Sequence, residues 1–209
     1  MKYRLWACLL FLPMVLWASG RPKVAVVLSG GGAKGTAHIG ALKVIEEAGI
    51  PIDYVVGTSM GAIVGGLYSI GYTPQQLDSM VNAQNWKFLF SDAPNPKDVL
   101  LDDRLKSERY VLSIPFSLKS AAVSDAGIIK GKNLARLFST LTEGYQDSVD
   151  FSRLPIPFAC VSENLVNGSE VVFHEGILAT SMRSSMSIPG VFAPVDLDGM
   201  VLVDGGKIG

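Results

Sequence analysis

Histidine and cysteine are scarce in this sequence. It contains two histidines, His38 and His174, and two cysteines, Cys8 and Cys160. Two cysteines, one of them in a segment that we expect to be removed, exclude a disulfide framework and a cysteine metal site. We expect Cys160, alone in an apolar strand, to be an unreactive core thiol. The shortage of histidine also limits which side chains could act as a base for a nucleophile.

An excess of charge of either sign is missing too. The 18 lysines and arginines nearly balance the 19 acidic residues, the net charge is −1, and there is no basic run. Nothing in this distribution indicates a nucleic-acid partner. Hydrophobic residues make up 48% of the 209 residues, which argues against disorder and is enough for one domain with a sizeable core.

The first 20 residues have the organisation of a secretory signal peptide. Lys2 and Arg4 give a positive start, residues 5–17 are apolar apart from an interruption at Pro13, and residues 18–20 (ASG) are small enough for cleavage. The apolar run is too short for an ordinary membrane span, and an uncleaved anchor is the alternative. Both interpretations predict export to the periplasm, the outer membrane or the medium, with residues 21–209 as the folded domain.

The segment after residue 20 alternates between strand and helix patterns. Residues 23–29 (KVAVVLS) form a continuous apolar run, which is typical of a buried parallel strand. A second strand at residues 54–56 completes a strand–helix–strand unit and predicts a parallel α/β sheet. The helix between them is predicted at residues 36–48, with an inward stripe formed by Ala37, Ala41, Val44, Ile45 and Ala48.

Cap and turn signals divide the rest of the chain into short elements. Thr73, followed by Pro74 and Gln76, predicts the start of a helix whose apolar residues turn inward. The cluster at residues 86–90 (WKFLF) has two interpretations, ordinary core packing or the lining of an acyl-chain groove. The other predictions are helices at 133–141 and 177–186, a buried strand at 156–161, an extended stretch within 108–118, and hairpins around Asn167-Gly168 and Asp198-Gly199.

One stretch stands out for its chemistry. Residues 54–64 (YVVGTSMGAIV) predict a buried strand, a tight turn and a helix, with Ser59 at the tip of a Gly-x-Ser-x-Gly turn. A serine at such a strained corner exposes its hydroxyl above the sheet. Gly57 and Gly61 fit where strand and helix pass too closely for a Cβ, and the positive end of the new helix favours an anionic intermediate. The alternative is a glycine-rich turn that contains an ordinary serine.

A glycine block, residues 30–35 (GGGAKG), separates the first strand from the first helix. It matches the dinucleotide-binding pattern, but the second strand lacks the acidic residue required at its far end, and Asp53 lies at the wrong end. It does not form a phosphate loop, because Lys34 precedes the last glycine. The block remains a nest of backbone N–H groups that stabilises anions, and we expect it beside Ser59. Lys34 either adds charge there or is an ordinary solvated lysine.

Asp204 is the candidate base for Ser59. It follows the apolar run at residues 200–203 and precedes two glycines, and the strand ends of open α/β sheets collect at the ligand edge. We expect His174 at the surface after a hairpin strand, and His38 in a packing or capping role. The sequence therefore predicts a serine–aspartate dyad, with a plain turn aspartate as the alternative.

Four motifs together resemble the patatin-like phospholipase family: residues 29–35 (SGGGAKG), 57–61 (GTSMG), 185–192 (SMSIPGVF) and 204–206 (DGG). The resemblance covers residues 23–206 and implies a three-layer α/β/α fold with a mainly parallel central sheet. It also implies a lipid acyl hydrolase, a phospholipase A or esterase without metal or other cofactor, with Ser59 as nucleophile and Asp204 as base. The implied oxyanion hole consists of backbone N–H groups at Gly30, Gly31, Gly32 and Met60, and the implied supporting residues are Lys34, Gly35, Gly57, Gly61, Pro189 and Gly205.

The end of the chain departs from the family pattern. Family members continue beyond the Asp-Gly-Gly motif, whereas this sequence stops at residue 209. We therefore expect residues 21–209 to be a C-terminally incomplete domain. The predicted substrate is a lipid or other ester met at a membrane surface. An acyltransferase that uses the same serine, and an inactive lipid-binding remnant, are the alternatives.

Overall fold

The computed structural model describes residues 21–94 and 129–207. The predicted signal peptide and the extended stretch predicted within residues 108–118 lie outside the described residues. The strands are β1 (Ala25–Leu28), β2 (Tyr54–Thr58), β3 (Val149–Asp150), β4 (Phe158–Asn164), β5 (Ser169–Phe173), β6 (Glu175–Gly176), β7 (Val195–Leu197) and β8 (Met200–Asp204). The α-helices are α1 (Ala37–Glu47), α2 (Met60–Ser69), α3 (Pro74–Ala83), α4 (Trp86–Leu89), α5 (Lys132–Leu141) and α6 (Leu178–Ser185). None of these helices is both long and apolar enough to cross a bilayer.

Three neighbouring strands of the main sheet run parallel to one another, with β1 at one end of the strand order in the described residues. β1 pairs with β2 and β2 with β4, both in parallel. Within the described ranges, β5 and β8 add to β4 in antiparallel fashion, β7 adds to β8, and β3 pairs with β6 in a separate ribbon. The predicted α/β fold with parallel central strands is confirmed, and both predicted hairpins, β4–β5 and β7–β8, are present.

The strands that carry the two candidate catalytic residues meet end to end along one edge of β4. β2 pairs with the first half of β4, β8 pairs with the second half, and β5 occupies the opposite edge along both. Thr58 at the end of β2 pairs with Val161, and Asp204 at the end of β8 pairs with Ser162. The two carboxyl-terminal ends therefore face each other. Asp204 reaches this position because β8 runs antiparallel to β2, and not because the ends of parallel strands collect at one edge of the sheet.

Helices α2 and α6 pack on the same face of the sheet. Val55 of β2 and Phe158 of β4 are fully buried on that face. A Cβ on Gly65 of α2 would lie 2.8 Å from Val55 Cγ1, so the helix backbone packs directly on the strand. A Cβ on the next residue, Gly66, would lie 2.8 Å from the sulfur of Met182 in α6. This close packing fixes the start of α2 relative to the strands.

Helix α1 forms at its predicted position but turns a different face inward. Its buried residues are Ile39 and Leu42, whereas Val44 is 62% exposed. The predicted stripe through Ala37, Ala41, Val44, Ile45 and Ala48 is therefore wrong. Alanines dominate that stripe, and burying isoleucine and leucine instead removes more apolar surface from water.

Helix α3 begins with the predicted cap. Thr73 Oγ1 accepts the Gln76 N–H at 3.2 Å, and Gln76 Oε1 accepts the Thr73 N–H at 2.8 Å. These reciprocal hydrogen bonds form a capping box, with Pro74 in the first turn. Leu77 is buried and Met80 packs against the core, so the apolar side of α3 faces inward as predicted.

Candidate active site

Ser59 occupies the corner between β2 and α2. Its backbone has φ 55° and ψ −122°, a conformation that costs an L-residue roughly 1–3 kcal/mol. The residue is buried, and α2 begins immediately after it, so its hydroxyl lies at the positive end of that helix. The structure therefore contains the strained strand-to-helix corner that the motif predicts.

Two glycines make this corner sterically possible. A Cβ on Gly57 would collide with the Gly61 carbonyl and lie 2.6 Å from Ala62 Cα, and a Cβ on Gly61 would collide with the Leu28 carbonyl of β1. Real Cβ atoms essentially never come within 3.0 Å of such atoms. Any side chain at either position would push α2 away from the strands and move Ser59.

Ser185, the last residue of α6, supports the backbone of the corner. The Ser59 N–H donates to Ser185 Oγ at 2.8 Å, and the Ser185 hydroxyl donates to the Val161 carbonyl of β4 at 2.5 Å. Ser185 is fully buried, and leaving a buried N–H without a partner costs about 1–3 kcal/mol. One hydroxyl therefore joins the strained corner to the neighbouring strand.

Asp204 ends β8 on the other side of the same junction. The residue is buried, and its Oδ1 accepts the Gly206 N–H at 2.8 Å. Its own N–H donates to the Ser187 carbonyl at 3.0 Å. A Cβ on Gly205 would lie 2.8 Å from the Val161 carbonyl oxygen, so the glycine after Asp204 allows the chain to turn tightly against β4.

The end of α6 therefore contacts both candidate catalytic residues. Ser185 accepts the backbone N–H of Ser59, and two residues later Ser187 accepts that of Asp204. Sequence reasoning identified this stretch as part of a motif but assigned no role to either serine. The sequence feature that could have identified these two serines is the run of small polar residues in a segment that is predicted to be helical. The structure shows that this segment is buried.

Arg183 orders this segment from within the protein. It is 6% exposed and donates to Ser187 Oγ at 2.5 Å and to the carbonyls of Lys130 and Ala193 at 3.1 and 3.2 Å. Burial lowers the pKa of the Arg183 guanidinium, and the charge of Asp92 opposes that effect. These hydrogen bonds hold the end of α6 against the segments that contain Lys130 and Ala193.

An open cleft of about 590 Å³ joins the candidate residues. A Cβ on Gly30 would lie 3.3 Å from Ser59 Cβ, so the glycine block lies directly against the serine, as the sequence predicts. The residues that line the cleft are Val27, Ser29, Gly30, Gly31, Gly32, Thr58, Ser59, Ile188, Pro189, Asp204, Gly205 and Gly206.

Five of the predicted residues do not line the cleft: Gly57 and Gly61 of the corner, and Met60, Gly35 and Lys34 beside it. Met60 begins α2, and a Cβ on Gly35 would lie 2.6 Å from Met60 Cβ, so Gly35 allows the glycine block to approach the helix. Lys34 is exposed, and its backbone N–H donates to the Gly31 carbonyl at 3.2 Å. This position favours the interpretation of Lys34 as a solvated lysine.

Neither histidine lines the cleft. His174 is exposed, and its Nδ1 is 3.4 Å from the hydroxyl of Tyr54, which begins β2 at the end opposite Ser59. His38 Nε2 is 2.8 Å from the Ser29 carbonyl. The prediction that His174 lies at the surface is confirmed.

Cys160 is fully buried in β4, as predicted for a core thiol, and its Sγ donates to the Ser181 carbonyl. Burial raises the pKa of this thiol to about 12, so it stays neutral and unreactive at ordinary pH. In the part of the chain that the structure describes, no group of three or more histidine, cysteine or acidic side chains is arranged to hold a metal ion.

Comparisons with known proteins show the family to which this chain belongs. A family model described as patatin-like phospholipase matches residues 26–208. The chain belongs to the patatin-like phospholipase family. An uncharacterised NTE family protein of Mycobacterium tuberculosis is 32% identical over 188 residues, which are 90% of this chain and 44% of the relative. A lysophospholipase of Neurospora crassa is 34% identical over 194 residues, which are 88% of this chain and 10% of the relative.

Two solved structures share the fold. VipD from Legionella pneumophila superposes with a TM-score of 0.57 at 17% identity, over 90% of this chain and 46% of that one. ExoU of Pseudomonas aeruginosa, in complex with SpcU, gives 0.51 at 18% identity, over 80% of this chain and 39% of the other. This patatin-like chain spans less than half the length of each of these relatives.

Proposed function

We propose that this patatin-like chain hydrolyses carboxylic esters of lipids, with Ser59 as nucleophile and Asp204 as general base. The observation that carries the proposal is the end-to-end meeting of β2 and β8, since it brings a serine hydroxyl and a carboxyl group into one cleft. Membership of a family of phospholipases supports a lipid as the substrate. The absence of a histidine from the cleft lining supports a carboxylate as the base.

The reaction proceeds through an acyl-enzyme. Asp204 accepts the Ser59 proton while Oγ attacks the ester carbonyl carbon, and the alcohol then leaves with that proton. Water attacks the acyl-Ser59 intermediate, Asp204 again takes the proton, and the fatty acid leaves as the serine is restored.

Backbone N–H groups stabilise the negative charge that develops on the carbonyl oxygen. Gly30, Gly31 and Gly32 line the cleft beside Ser59, and the Met60 amide is the first of α2, where N–H groups have no partner within the helix. In enzymes of this kind, each such donor contributes about 3–4 kcal/mol to transition-state stabilisation.

The test is hydrolysis of p-nitrophenyl butyrate and of lysophosphatidylcholine by three variants. Ser59→Ala is expected to abolish both activities with the circular dichroism spectrum unchanged. Asp204→Asn is expected to lower kcat by at least about a thousandfold, because the amide keeps the shape but cannot accept the proton. His174→Ala serves as the control and is expected to retain full activity.

Each contrary result has a distinct meaning. Full turnover by Ser59→Ala would rule out the mechanism, and loss of activity in His174→Ala would point to a histidine base. Product analysis with an added alcohol or lipid acceptor identifies an acyltransferase, because the acyl group would then appear on the acceptor in preference to water.

A further inference from the structure

A basic cavity lies between α5 and α6, apart from the cleft that contains Ser59. Its volume is about 550 Å³, and it shares no lining residue with that cleft. The charged residues that line it are Lys130, Lys132 and Arg183, and none of the described acidic residues is part of its lining. Three basic groups around one concave surface indicate an anionic ligand.

Arg183 forms the buried part of this basic surface. The residue is 6% exposed, and its hydrogen bonds within the described ranges go to uncharged acceptors, the Ser187 hydroxyl and the carbonyls of Lys130 and Ala193. These bonds use three of the five N–H donors of a guanidinium. A buried cation without a counter-ion loses solvation and gains no compensating charge, so an anion in the cavity would stabilise it.

The start of α5 brings the other positive groups to the same end of the cavity. Lys130 and Lys132 are exposed and flank Gly131, the N-cap of α5. A Cβ on Gly131 would lie 2.5 Å from Arg183 Nη2, so the glycine leaves room for the guanidinium beside the start of the helix. The N-terminal end of this ten-residue helix adds positive partial charge there.

Asp92 offsets part of this charge without lining the cavity. Its carboxylate oxygens accept the N–H groups of Lys130 and Gly131 at 2.6 and 3.0 Å, and the residue is not part of the cavity wall. The three basic groups exceed this single negative charge. Farther along the wall, Ser139 and Thr180 supply hydroxyl groups that suit the uncharged part of a polar ligand.

We propose that this cavity binds a phosphate group, with the guanidinium of Arg183 and the ammonium groups of Lys130 and Lys132 as its charged partners. Guanidinium donors match the geometry of phosphate oxygens, and lysines add point charges. Phosphate is favoured over a carboxylate because a phosphate monoester carries about −1.5 to −2 charges at neutral pH, and three cations surround this site. A soluble phosphate monoester and the head group of phosphatidic acid share this chemistry. The proposal does not depend on hydrolysis by Ser59.

Titration calorimetry with inorganic phosphate and with glycerol 3-phosphate, at constant ionic strength, tests the soluble source. The unaltered chain is expected to show saturable binding. Lys130→Gln combined with Lys132→Gln should weaken it at least about tenfold, because two charged partners are lost. Ala135→Glu, at an exposed residue of the cavity wall, should abolish detectable binding by repulsion while Arg183 is kept. The matched control is Lys23→Gln with Lys43→Gln, two exposed lysines outside the cavity, which should bind like the unaltered chain.

Flotation with phosphatidylcholine vesicles, with and without phosphatidic acid, tests the lipid source. Ser59→Ala is the background for every variant, so that the vesicles stay intact. Binding in either experiment that is lost in the two cavity variants and kept in the control supports the proposal and identifies the source of the phosphate. Absence of binding in both experiments, or binding that the cavity variants retain or the control loses equally, would overturn it. Ester hydrolysis by the same proteins is measured separately, so failure of this proposal and failure of the proposed function are distinguishable.

Discussion

Ser59 has a backbone conformation that an L-residue resists, and the hydroxyl of Ser185 helps to stabilise it. The Ser185 side chain accepts the Ser59 N–H and donates to the Val161 carbonyl, so it joins the corner to β4. A nucleophile must be held within a fraction of an ångström of its productive position. We therefore expect Ser185 to position Ser59 without touching the substrate.

Ser185→Ala is expected to lower stability by about 1–3 kcal/mol and kcat by about 10- to 100-fold, with KM little changed. Ser184→Ala is the matched control, because Ser184 is equally buried but its hydroxyl donates only to the Thr180 carbonyl within α6. The checks are chemical denaturation and steady-state kinetics on p-nitrophenyl butyrate. Equal losses of kcat in the two variants would show that Ser185 has only a structural role.

At the scale of residues, the corner around Ser59 could be predicted from the sequence, but the side chain that supports its backbone could not. Ser59 with Gly57 and Gly61 forms a steric pattern that five consecutive residues express completely. The partner of Ser59 N–H is Ser185, 126 positions away. No local pattern specifies which buried serine will meet which backbone amide, so the support became visible only in the structure.

At the scale of elements, the capping box of α3 stabilises the start of that helix without contacting the cleft. Both of its hydrogen bonds lie within residues 73–76, which is why the sequence predicts it. α3 also lines part of an apolar cavity between the helices, so the cap contributes to the stability of the helical layer and not to the cleft.

Thr73→Ala is expected to reduce the free energy of unfolding by about 1 kcal/mol, because the Gln76 N–H loses its acceptor. The matched control is Thr140→Ala in the last turn of α5, where the exposed hydroxyl donates to the Arg136 carbonyl. Alanine is the stronger helix former there, so that variant should be neutral or slightly more stable. Urea unfolding measures both, and an equal loss of stability in the two variants would contradict the role of the cap.

The sequence predicts that β8 is a strand, but it does not predict the direction of β8 in the sheet. Its apolar run and the preceding turn predict a strand ending at Asp204, and that strand is present. β8 pairs with the second half of β4, end to end with β2. This pairing depends on which edge of β4 remains free once β5 has paired with the other. The pairing of strands that are far apart in the sequence cannot be recognised from the hydrophobic periodicity of either strand. The misassigned stripe of α1 likewise reflects helix packing that the sequence pattern does not encode.

For the whole molecule, the described residues contain an open cleft at the ends of β2 and β8 and a separate apolar cavity between helices. The cleft is lined by the glycine block and the ends of β2 and β8, and the cavity by helices. Ser59 lines the cleft, and the next residue, Met60, lines the cavity.

The most direct test of the central claim, that Ser59 is a nucleophile activated by Asp204, is labelling with a fluorophosphonate. Such a probe forms a covalent bond only with an activated serine, and mass spectrometry of the digested protein locates the adduct. We predict a single adduct on Ser59 in the unaltered chain and in His174→Ala, and labelling at least about a hundredfold slower in Asp204→Asn. An adduct on another serine, or labelling of Ser59 at an unchanged rate in Asp204→Asn, would contradict the claim.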